Sequence, residues 1–382
     1  MGKMRTLLSE LLYQTITLIN KVVPKKQNNI FIYDGPFMRQ NCWALFKYLI
    51  KNGFDKEYNI TYFVNNPVSE IDNRFQTSSF IVALWKRVRA KYVFFEYNNF
   101  KLNCKRTNRQ VSFNIWHGMP IKKIGYLSVS DVPHPYEDDY TYFLVTSQYF
   151  RDTMKKVFHL SDNQVYLGGY PRNDYLKSPK RECVFIRENN KNYLWMPTFR
   201  TSSTNGFSDS NKALPFLNQY NVNEFNTFLQ EKGIHVIIKL HPFQDSIEWL
   251  ERNSLSNITL INNKDIFEEG LELYELVGFV DGLITDYSSI YFDYLLTEKP
   301  ILFAIDDYDE YKSNRGFIDE KLFDNIQMPI ATSFEDFCMK LVNSMNAQEQ
   351  EVYQALQEKY SITAKTGSFC KDILEFVGIV KS

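Results

Sequence analysis

Short apolar runs alternate with helical patterns along most of this chain of 382 residues. Runs rich in β-branched and aromatic residues predict strands, and helices between such runs predict parallel strands joined by crossovers. The first series comprises NIFIYD, an amphipathic stretch from Asn41 to Lys51, NITYFV, a helix-like FIVALWKRVRAKY, VFFEY, VSFNIW, YTYFLVTS and QVYLGG. The pattern therefore predicts an α/β fold.

A second series of runs again alternates with helix-like segments. Its strand candidates are NYLWMP, HVIIKLHP, NITLIN, DGLITD and KPILFA, and the charged segment KSPKRECVFIRENNKN before them is the predicted linker. We expect two domains, at 27–180 and 181–345, followed by helices at 346–382. Ligands of open α/β sheets bind at the carboxyl ends of strands, so residues just after strands are candidate contacts across a cleft between the domains.

The first 26 residues have a different pattern, with apolar side chains at helical spacing and lysines at the far end. Polar residues interrupt the apolar run before it reaches the length of a membrane span. Two interpretations remain open: an interfacial helix on an anionic leaflet, with Lys21, Lys25 and Lys26 at its edge, or a helix packed on its own domain. The apolar positions are Leu7, Leu8, Leu11, Leu12, Ile16, Ile19 and Val23.

Composition and charge narrow the function classes. Hydrophobic residues make up 44% of the chain, which is enough for a sizeable core, and 44 basic against 45 acidic residues give a net charge of -1. Nothing global draws such a protein to nucleic acid, so an anionic ligand must be held by a local site. The five cysteines are scattered without metal-ligand spacing, which suits a reducing cytoplasm and predicts neither disulfides nor a zinc site.

Basic side chains follow several of the predicted strands. The planar guanidinium group of arginine suits phosphate, although it would pair equally well with a structural carboxylate. A lone histidine is usually structural. Their shared position after strands predicts one positively charged site in an otherwise neutral protein. The residues are His117, Lys122, Lys123, Arg172, Arg200, Lys239 and His241.

The segment LITDYSSIYFDYLL, residues 283–296, predicts a further anion contact. A strand ends at Asp286 and a helix begins near Ser288 and Ser289, where free N–H groups, the helix dipole and two hydroxyls would meet an anion. Asp293 lies four residues after Ser289, one turn further along the same face. The alternative is that Asp286 and Ser288 only cap the helix.

Five motifs occur in a fixed order: WHGMPIKKIG, GYPRND, MPTFR, IIKLHP and LITDYSSIYFDYLL. In this order they resemble the CDP-glycerol glycerophosphotransferases that build teichoic acids and related capsule polymers. The likeness covers roughly residues 110 to 320, including the RGF at Arg315 to Phe317, whereas residues 1 to 100 carry little of it. Met119 stands where the family is expected to have Thr, while the neighbouring His, Gly, Pro and Lys are kept.

The resemblance implies a GT-B-like architecture, in which an N-terminal Rossmann-like acceptor domain and a C-terminal Rossmann-like donor-nucleotide domain face each other across a cleft. It implies that His117 and His241 are the catalytic pair, and it implies no metal and no cofactor. The predicted substrate contacts, from the motifs and the resemblance together, are Pro120, Ile121, Lys122, Lys123, Ile124, Arg172, Pro197, Thr198, Arg200, Lys239, Leu240, Ser288, Ser289 and Asp293.

The implied reaction moves glycerol phosphate from CDP-glycerol to an acceptor hydroxyl and releases CMP. We assign the general base to His117, because an unperturbed imidazole titrates close to working pH, and the growing charge on the diphosphate to His241, the serines and the basic side chains. The expected acceptor is a polyprenyl-diphosphate-linked saccharide or a growing teichoic acid or capsule polymer. This acceptor would place the enzyme in the cytoplasm, peripheral on the inner face of the bacterial cell membrane.

Three alternatives remain open. A CDP-ribitol ribitolphosphotransferase would share nearly every motif, so only donor selectivity separates it. A GT-B nucleotide-sugar glycosyltransferase would transfer sugar and not glycerol phosphate. A non-catalytic nucleotide-binding or scaffold protein would have no reason to keep both histidines.

Overall fold

The computed structural model describes residues 2–34, 39–65, 69–97, 102, 104–128, 139–179, 181–198, 201–202, 207–208, 214–240, 247–326, 328–343 and 347–381. The chain divides into two compact units that interleave in sequence. Unit 1 comprises residues 1–117, 125–174 and 362–382, and unit 2 comprises residues 118–124 and 175–361. The charged segment at 177–192 lies within unit 2, where Cys183 and Phe185 are buried.

Strands and helices alternate through both units. The strands are β1 (Lys26–Tyr33), β2 (Asn59–Phe63), β3 (Gln76–Thr77), β4 (Ala90–Phe95), β5 (Val111–Asn114), β6 (Tyr142–Val145), β7 (Val165–Leu167), β8 (Lys191–Met196), β9 (Thr201–Ser202), β10 (Phe207–Ser208), β11 (Ile234–Lys239), β12 (Ile258–Ile261), β13 (Gly282–Thr285), β14 (Ile301–Ala304) and β15 (Ile330–Ala331). The α-helices are α1 (Gly2–Val22), α2 (Asn41–Lys51), α3 (Phe80–Arg89), α4 (Gln148–Phe158), α5 (Val222–Glu231), α6 (Glu248–Glu251), α7 (Asn263–Glu268), α8 (Leu273–Phe279), α9 (Ile290–Tyr294), α10 (Tyr308–Arg315), α11 (Leu322–Asn325), α12 (Phe334–Val342), α13 (Ala347–Tyr360) and α14 (Phe369–Phe376).

Unit 1 is built on a parallel sheet with the strand order β3-β2-β1-β4-β5-β6-β7. Its central strands are buried along their carboxyl halves, as the run Ile30 to Tyr33 of β1 shows. Such continuous apolar runs are typical of parallel strands covered by helices on both faces. The prediction of a Rossmann-like sheet in this half of the chain is confirmed.

Unit 2 is built on a second parallel sheet with the strand order β12-β11-β8-β13-β14-β15, and β9 and β10 form a separate antiparallel pair. Its core includes Trp195 on β8, Phe225 on α5 and Phe337 on α12, with ring centroids 5.2 Å apart for Trp195 and Phe337 and 5.5 Å apart for Phe225 and Phe337. The second predicted Rossmann-like sheet is confirmed as well.

The strand order of each sheet reverses once, which defines a switch point. It lies between β1 and β4 in unit 1 and between β8 and β13 in unit 2. Ligands of doubly wound sheets bind outside the carboxyl ends of the strands at such points. The residues that directly follow these four strands are Asp34, Glu96, Pro197 and Asp286.

The end of the chain returns to unit 1 through α14. Asp174 accepts hydrogen bonds from the backbone N–H groups of Phe369 and Cys370 at 2.7 and 3.1 Å and from the Ser368 hydroxyl at 2.7 Å. A carboxylate at a helix N-terminus satisfies N–H groups that have no partner within the helix. Residues 346–382, which we predicted as one group of helices, are therefore divided between the units, with α13 in unit 2.

Among the described side chains of helix α1, those on one side pack on the rest of unit 1. Ile16 is buried against Val88 and Cys104, and the buried Asn20 donates to the Lys105 carbonyl oxygen at 3.1 Å. Lys25 does not lie at the edge of a free helix, because its Nζ donates to the carbonyl oxygen of Val88 at 2.6 Å. No helix in the described ranges is both long and apolar enough to cross a bilayer.

Candidate active site

His117 lies in the loop after β5, within unit 1. Its Nδ1 is 2.9 Å from the backbone carbonyl oxygen of Glu96, the residue that follows β4. A carbonyl oxygen only accepts, so this contact places a proton on Nδ1 and leaves Nε2 as the acceptor of the neutral ring. The Tyr97 ring stacks on the imidazole with the centroids 4.6 Å apart. This tautomer and orientation suit a general base that works through Nε2.

The backbone just before His117 is strained. Trp116 has φ of 49°, in the left-handed region that few residues other than glycine adopt. Its N–H donates to Asn114 Oδ1 at 2.9 Å, and its carbonyl oxygen accepts from Asn41 Nδ2 at 2.6 Å. Strained backbone persists when the surroundings hold it, and it clusters at functional sites. Hydrogen bonds at both the N–H and the carbonyl oxygen of Trp116 thus hold the backbone that leads to His117.

Arg172 lies in a 3₁₀ segment, Pro171–Lys177, that follows β7. The side chain is 5% exposed, and its Nη1 donates to Gln40 Oε1 at 2.7 Å. The Arg172 backbone N–H donates to Asn41 Oδ1 at 3.3 Å. Asn41 therefore holds both the Trp116 carbonyl and the Arg172 backbone, so the predicted base and the predicted arginine depend on the same helix start.

Two buried carboxyl groups at the unit 1 switch point were missed in the sequence. Asp34 and Glu96 are 1% and 0% exposed. Burial, and then the charge of Asp34, raise the pKa of Glu96 well above its usual value, and burial raises the pKa of Asp34. Each of them directly follows an apolar run, Asp34 at the end of NIFIYD and Glu96 after the VFF of VFFEY, so the rule that singled out His117 would have found them.

The Pro120 to Ile124 loop belongs to unit 2, although His117 just before it belongs to unit 1. The Lys123 N–H donates to the Gly316 carbonyl oxygen at 3.1 Å, and the Ile121 carbonyl oxygen accepts from Ile318 N–H at 2.9 Å. Lys122 pairs with Phe317 in an antiparallel bridge. The first motif and the RGF sequence, which are far apart along the chain, therefore form one local structure in unit 2.

At the unit 2 switch point, Thr198 is bound to Asp286. The Thr198 backbone N–H donates to Asp286 Oδ1 at 2.8 Å, its hydroxyl donates to the same oxygen, and Tyr287 N–H donates to it at 2.7 Å. Pro197 is buried just after β8. Asp286 therefore fixes the Pro-Thr turn against the loop after β13.

Lys239 ends β11 as a buried cation. It is 4% exposed, and within the described part of the chain its amine makes one hydrogen bond, at 3.5 Å to the Leu240 carbonyl oxygen. Burial lowers the pKa of Lys239 from 10.5 to about 8. A buried ammonium with so weak a partner is suited to an anionic ligand. The neighbouring His241, and Arg200 after β8, lie outside the described residues.

The serine pair lies at the start of α9. Ser288 and Ser289 are partly exposed, Ser289 is the N-cap residue without a side-chain capping bond, and neither hydroxyl bonds to another described residue. Asp293 differs, because it is 3% exposed and accepts from the Tyr274 hydroxyl at 2.5 Å. The capping alternative therefore finds no support at the serines, while Asp293 is held inside the unit.

A cavity of about 720 Å³ opens beside the carboxyl ends of β11 and β12. Leu240 lines it, together with Ile261, Asn262 and Lys264 where β12 gives way to α7. Ligand pockets commonly have this size and this mixture of apolar walls with a few polar groups. Of the predicted contacts, only Leu240 is among the cavity's described lining residues, so the cavity and the switch point of unit 2 are distinct features.

The sequence of this chain is similar to those of known proteins. The sequence model of the family described as CDP-glycerol:poly(glycerophosphate) glycerophosphotransferase matches residues 14–368. The chain is 23% identical over 411 residues to the teichoic acid poly(glycerol phosphate) polymerase of Bacillus spizizenii, with 98% of each chain covered. It is 26% identical over 226 residues to the teichoic acid ribitol-phosphate primase of that species, and there it spans 54% of the relative's length.

Among solved structures, the wall teichoic acid polymerase TagF, as a variant soaked with CDPG, has a TM-score of 0.72 at 18% identity, over 97% of this chain and 92% of that one. Together the two sheets, their switch points and this likeness define a GT-B-like α/β fold, as predicted. Because the family model covers nearly all of the sequence, the chain belongs to the CDP-glycerol:poly(glycerophosphate) glycerophosphotransferase family. The predicted family and reaction class, a glycerophosphotransferase that uses CDP-glycerol, are thereby confirmed.

Proposed function

We propose that this protein transfers glycerol phosphate from CDP-glycerol to a hydroxyl of a lipid-linked saccharide or of a growing teichoic acid or capsule polymer. The observation that carries the proposal is the contact between His117 Nδ1 and the Glu96 carbonyl oxygen at 2.9 Å. This contact leaves Nε2 able to take a proton, which is what an attacking hydroxyl requires. The family match supports the choice of donor.

In the proposed reaction, the acceptor oxygen bonds to the glycerol-bearing phosphorus while that phosphorus loses its bond to the oxygen shared with CMP. The acceptor proton passes to His117 Nε2, and the electron pair of the broken bond leaves with CMP. A positioned general base contributes about 10² to 10⁴ in rate. His241 and the basic side chains would stabilise the charge that grows on the leaving phosphate.

The donor diphosphate would be held by unit 2. Support comes from the weakly paired amine of Lys239, from the hydroxyls of Ser288 and Ser289, which make no bond to another described residue, and from the lysines of the Pro120 to Ile124 loop. Phosphate oxygens accept hydrogen bonds from such groups, and the charge of the lysines complements them. Arg172 and Asp293, both held inside their units, would act by fixing the shape of the site as well as by contact.

The cavity beside β11 and β12 is the proposed position of the cytidine. It borders Leu240, which directly follows Lys239, so a nucleoside in the cavity would extend its phosphates toward the Lys239 end of β11. Cytosine carries an amide-like edge that pairs with backbone and amide groups, and Asn262 and Asn263 line the cavity. CDP would therefore bind more tightly than free glycerol phosphate.

The test is incubation of the purified protein with CDP-glycerol or CDP-ribitol and a lipid-linked disaccharide, followed by mass analysis of the lipid product. The expected result is addition of glycerol phosphate with CMP release. Transfer of sugar from a nucleotide sugar, with none from CDP-glycerol, would instead identify a glycosyltransferase.

Ribitol phosphate is the second candidate for the transferred group. One specific observation favours it: a relative with 26% identity is named a ribitol-phosphate primase. The relative matched over 98% of both chains is named a glycerol phosphate polymerase, which is why glycerol is preferred. The same assay decides, because the two products differ in mass.

The membrane surface is the proposed partner of α1 and α3, which pack against each other. Their outer faces expose apolar side chains: Leu18 is 66%, Val22 72%, Ile81 78% and Trp85 51% exposed. The guanidinium of Arg89 lies 4.8 Å from the Trp85 ring centroid. Exposed aliphatic side chains beside an amphipathic Trp and basic residues are typical of proteins that bind an anionic bilayer surface.

Vesicle sedimentation tests this partner. Leu18→Ser with Trp85→Ser should lower binding to anionic vesicles at least tenfold, since burying one such side chain contributes about 1.5–3 kcal/mol. Raised salt should weaken wild-type binding. Tyr220→Ser, which changes an 88% exposed ring in unit 2, is the matched control. Unchanged binding by the double variant would leave α1 and α3 as packing elements only.

A further inference from the structure

At the unit 1 switch point, each of the two buried carboxyl groups has one oxygen that accepts hydrogen bonds and one that has no donor among the described residues. Glu96 Oε2 accepts from the N–H groups of Asn41 and Cys42, at 2.9 and 3.4 Å, which begin α2. Asp34 Oδ2 accepts from the Arg39 N–H at 3.0 Å and from the Tyr62 hydroxyl. Each group thus has one oxygen fully committed to donors of the protein.

The remaining oxygens, Asp34 Oδ1 and Glu96 Oε1, are buried and find no donor among the described residues. The strands that precede them pair in register, Tyr33 with Phe95, so the two buried carboxyl groups follow neighbouring strands at the same level, and the charge of Asp34 contributes to the raised pKa of Glu96. Two carboxylate oxygens cannot bond without a hydrogen atom between them, and two like charges so close in a buried site cannot both remain ionised. A single proton between these two oxygens would give each of them a hydrogen-bond partner.

We propose that Asp34 and Glu96 share one proton and act as a positioning pair, which holds the start of α2 and, through Asn41 and the Glu96 backbone, fixes the orientation of His117. The proton resides on Glu96 and is donated to Asp34 Oδ1. The pair keeps a single negative charge, which the nearby Arg172 guanidinium complements. The role assigned to His117 rests on the proposed function, whereas the shared proton does not.

Two sets of hydrogen bonds connect Glu96 to the surroundings of His117. The side chain of Glu96 holds the first N–H groups of α2, and Asn41 at that helix start donates to the Trp116 carbonyl at 2.6 Å. The backbone carbonyl of the same Glu96 faces His117 Nδ1 at 2.9 Å. A shift of Glu96 therefore moves both supports of the imidazole, and misplacement by about 1 Å can cost 10²-fold in rate.

A shared proton makes a specific prediction about amide substitutions. In Glu96→Gln, the amide oxygen accepts from the α2 N–H groups and the amide NH₂ donates to Asp34 Oδ1. In Asp34→Asn, the amide donates to Glu96 Oε1, which is then ionised. In the double variant, two NH₂ groups meet and neither can accept. Each single variant should therefore keep the pair, and only the double variant should break it.

The experiment measures kcat and KM for glycerol phosphate transfer with the full-length chain. Glu96→Gln and Asp34→Asn should each keep kcat within about threefold of wild type, whereas the double variant and Glu96→Ala should lose about 10- to 100-fold in kcat with KM for the donor nearly unchanged. Asp152→Asn, which removes an exposed carboxylate of α4, controls for loss of charge. Equal losses in the two single variants and the double variant, or full activity in the double variant, would overturn the proposal.

A second readout does not depend on the reaction. With ¹⁵N-labelled histidine, the His117 ring should show a protonated Nδ1 in wild type and in both single variants, and a mixture of tautomers in the double variant. The His117 signal is assigned by its loss in His117→Gln. If no transfer is detected in any protein yet this pattern holds, the proposed function fails and the pair stands. An unchanged tautomer in the double variant would remove the positioning role.

Discussion

At the switch point of unit 1, Asp34 and Glu96 are buried, Glu96 accepts from the N–H groups that begin α2, and Asp34 accepts from Arg39 N–H and the Tyr62 hydroxyl. At the corresponding edge of unit 2, Asp286 holds the Pro-Thr turn, while the amine of Lys239 and the serine hydroxyls have few partners in the described chain. Both edges arise from the same strand order, so topology alone does not decide what the edge does.

The difference lies in where hydrogen-bonding capacity remains. A buried polar group without a partner costs free energy, and a ligand that supplies the partner recovers that cost. Unit 2 therefore has the character of an edge prepared for an anion, whereas in unit 1 the proposed shared proton satisfies the two carboxyl groups, which position a reactive side chain. The three predictions below test this contrast, from the largest expected effect to the smallest.

The largest effect is expected from His117→Ala. Loss of a positioned base should lower kcat by about two to four orders of magnitude, because only the transition state requires proton removal. CDP affinity, measured by calorimetry, should change little, since unit 2 would hold the donor. His159→Asn is the matched control: His159 adopts φ of 51° at the end of α4, a conformation that asparagine tolerates. Near-normal turnover in His117→Ala would mean that His117 is not the general base.

A smaller effect is expected from Ser288→Ala and Ser289→Ala. Each should weaken CDP binding by about 1–3 kcal/mol, or about 5- to 150-fold, with kcat at saturating donor less affected. Ser313→Ala, on α10 of the same unit, removes a hydroxyl that bonds only to Glu310 O among the described residues and should leave CDP affinity unchanged. If both site variants bind CDP like wild type, the serines are not part of the prepared edge.

The smallest effect is a pH dependence that Lys239 imposes on CDP binding. The pKa of its amine is lowered from 10.5 to about 8 by burial, so above pH 8 the free protein carries a neutral amine, while the bound diphosphate favours the charged one. Binding must then take up a proton, and CDP affinity should fall by up to about tenfold per pH unit above pH 8 and be flat below it. Calorimetry in buffers of different ionisation enthalpy measures the uptake.

Lys239→Met supplies the comparison for that titration. Its CDP affinity should be lower below pH 8 and should no longer change with pH above it, because no amine remains to be charged. His117→Ala should keep the wild-type pH dependence of CDP binding. A wild-type affinity that stays constant between pH 7 and 10 would mean that the Lys239 amine does not meet the diphosphate.

The sequence determined the fold class and the position of most candidate contacts along the chain. Apolar runs of strand length separated by amphipathic stretches are dictated by local side-chain chemistry, and the predicted α2 at Asn41 to Lys51 coincides with the helix in the structure. The rule that polar residues after parallel strands reach ligands placed His117, Lys239 and the serine pair at strand ends. These predictions depend only on neighbours in sequence, which is why they could be made.

Tertiary structure alone decided which of these residues are held and which remain available. Glu96 and His117 are 21 residues apart, yet the pairing of β4 with β5 brings the carbonyl of one to the imidazole of the other. The loop from Pro120 to Ile124 follows His117 directly, yet its backbone bonds to Gly316 and Ile318 assign it to the other unit. Hydrogen-bond partners far apart along the chain leave no trace in local periodicity, so only the folded backbone could reveal them.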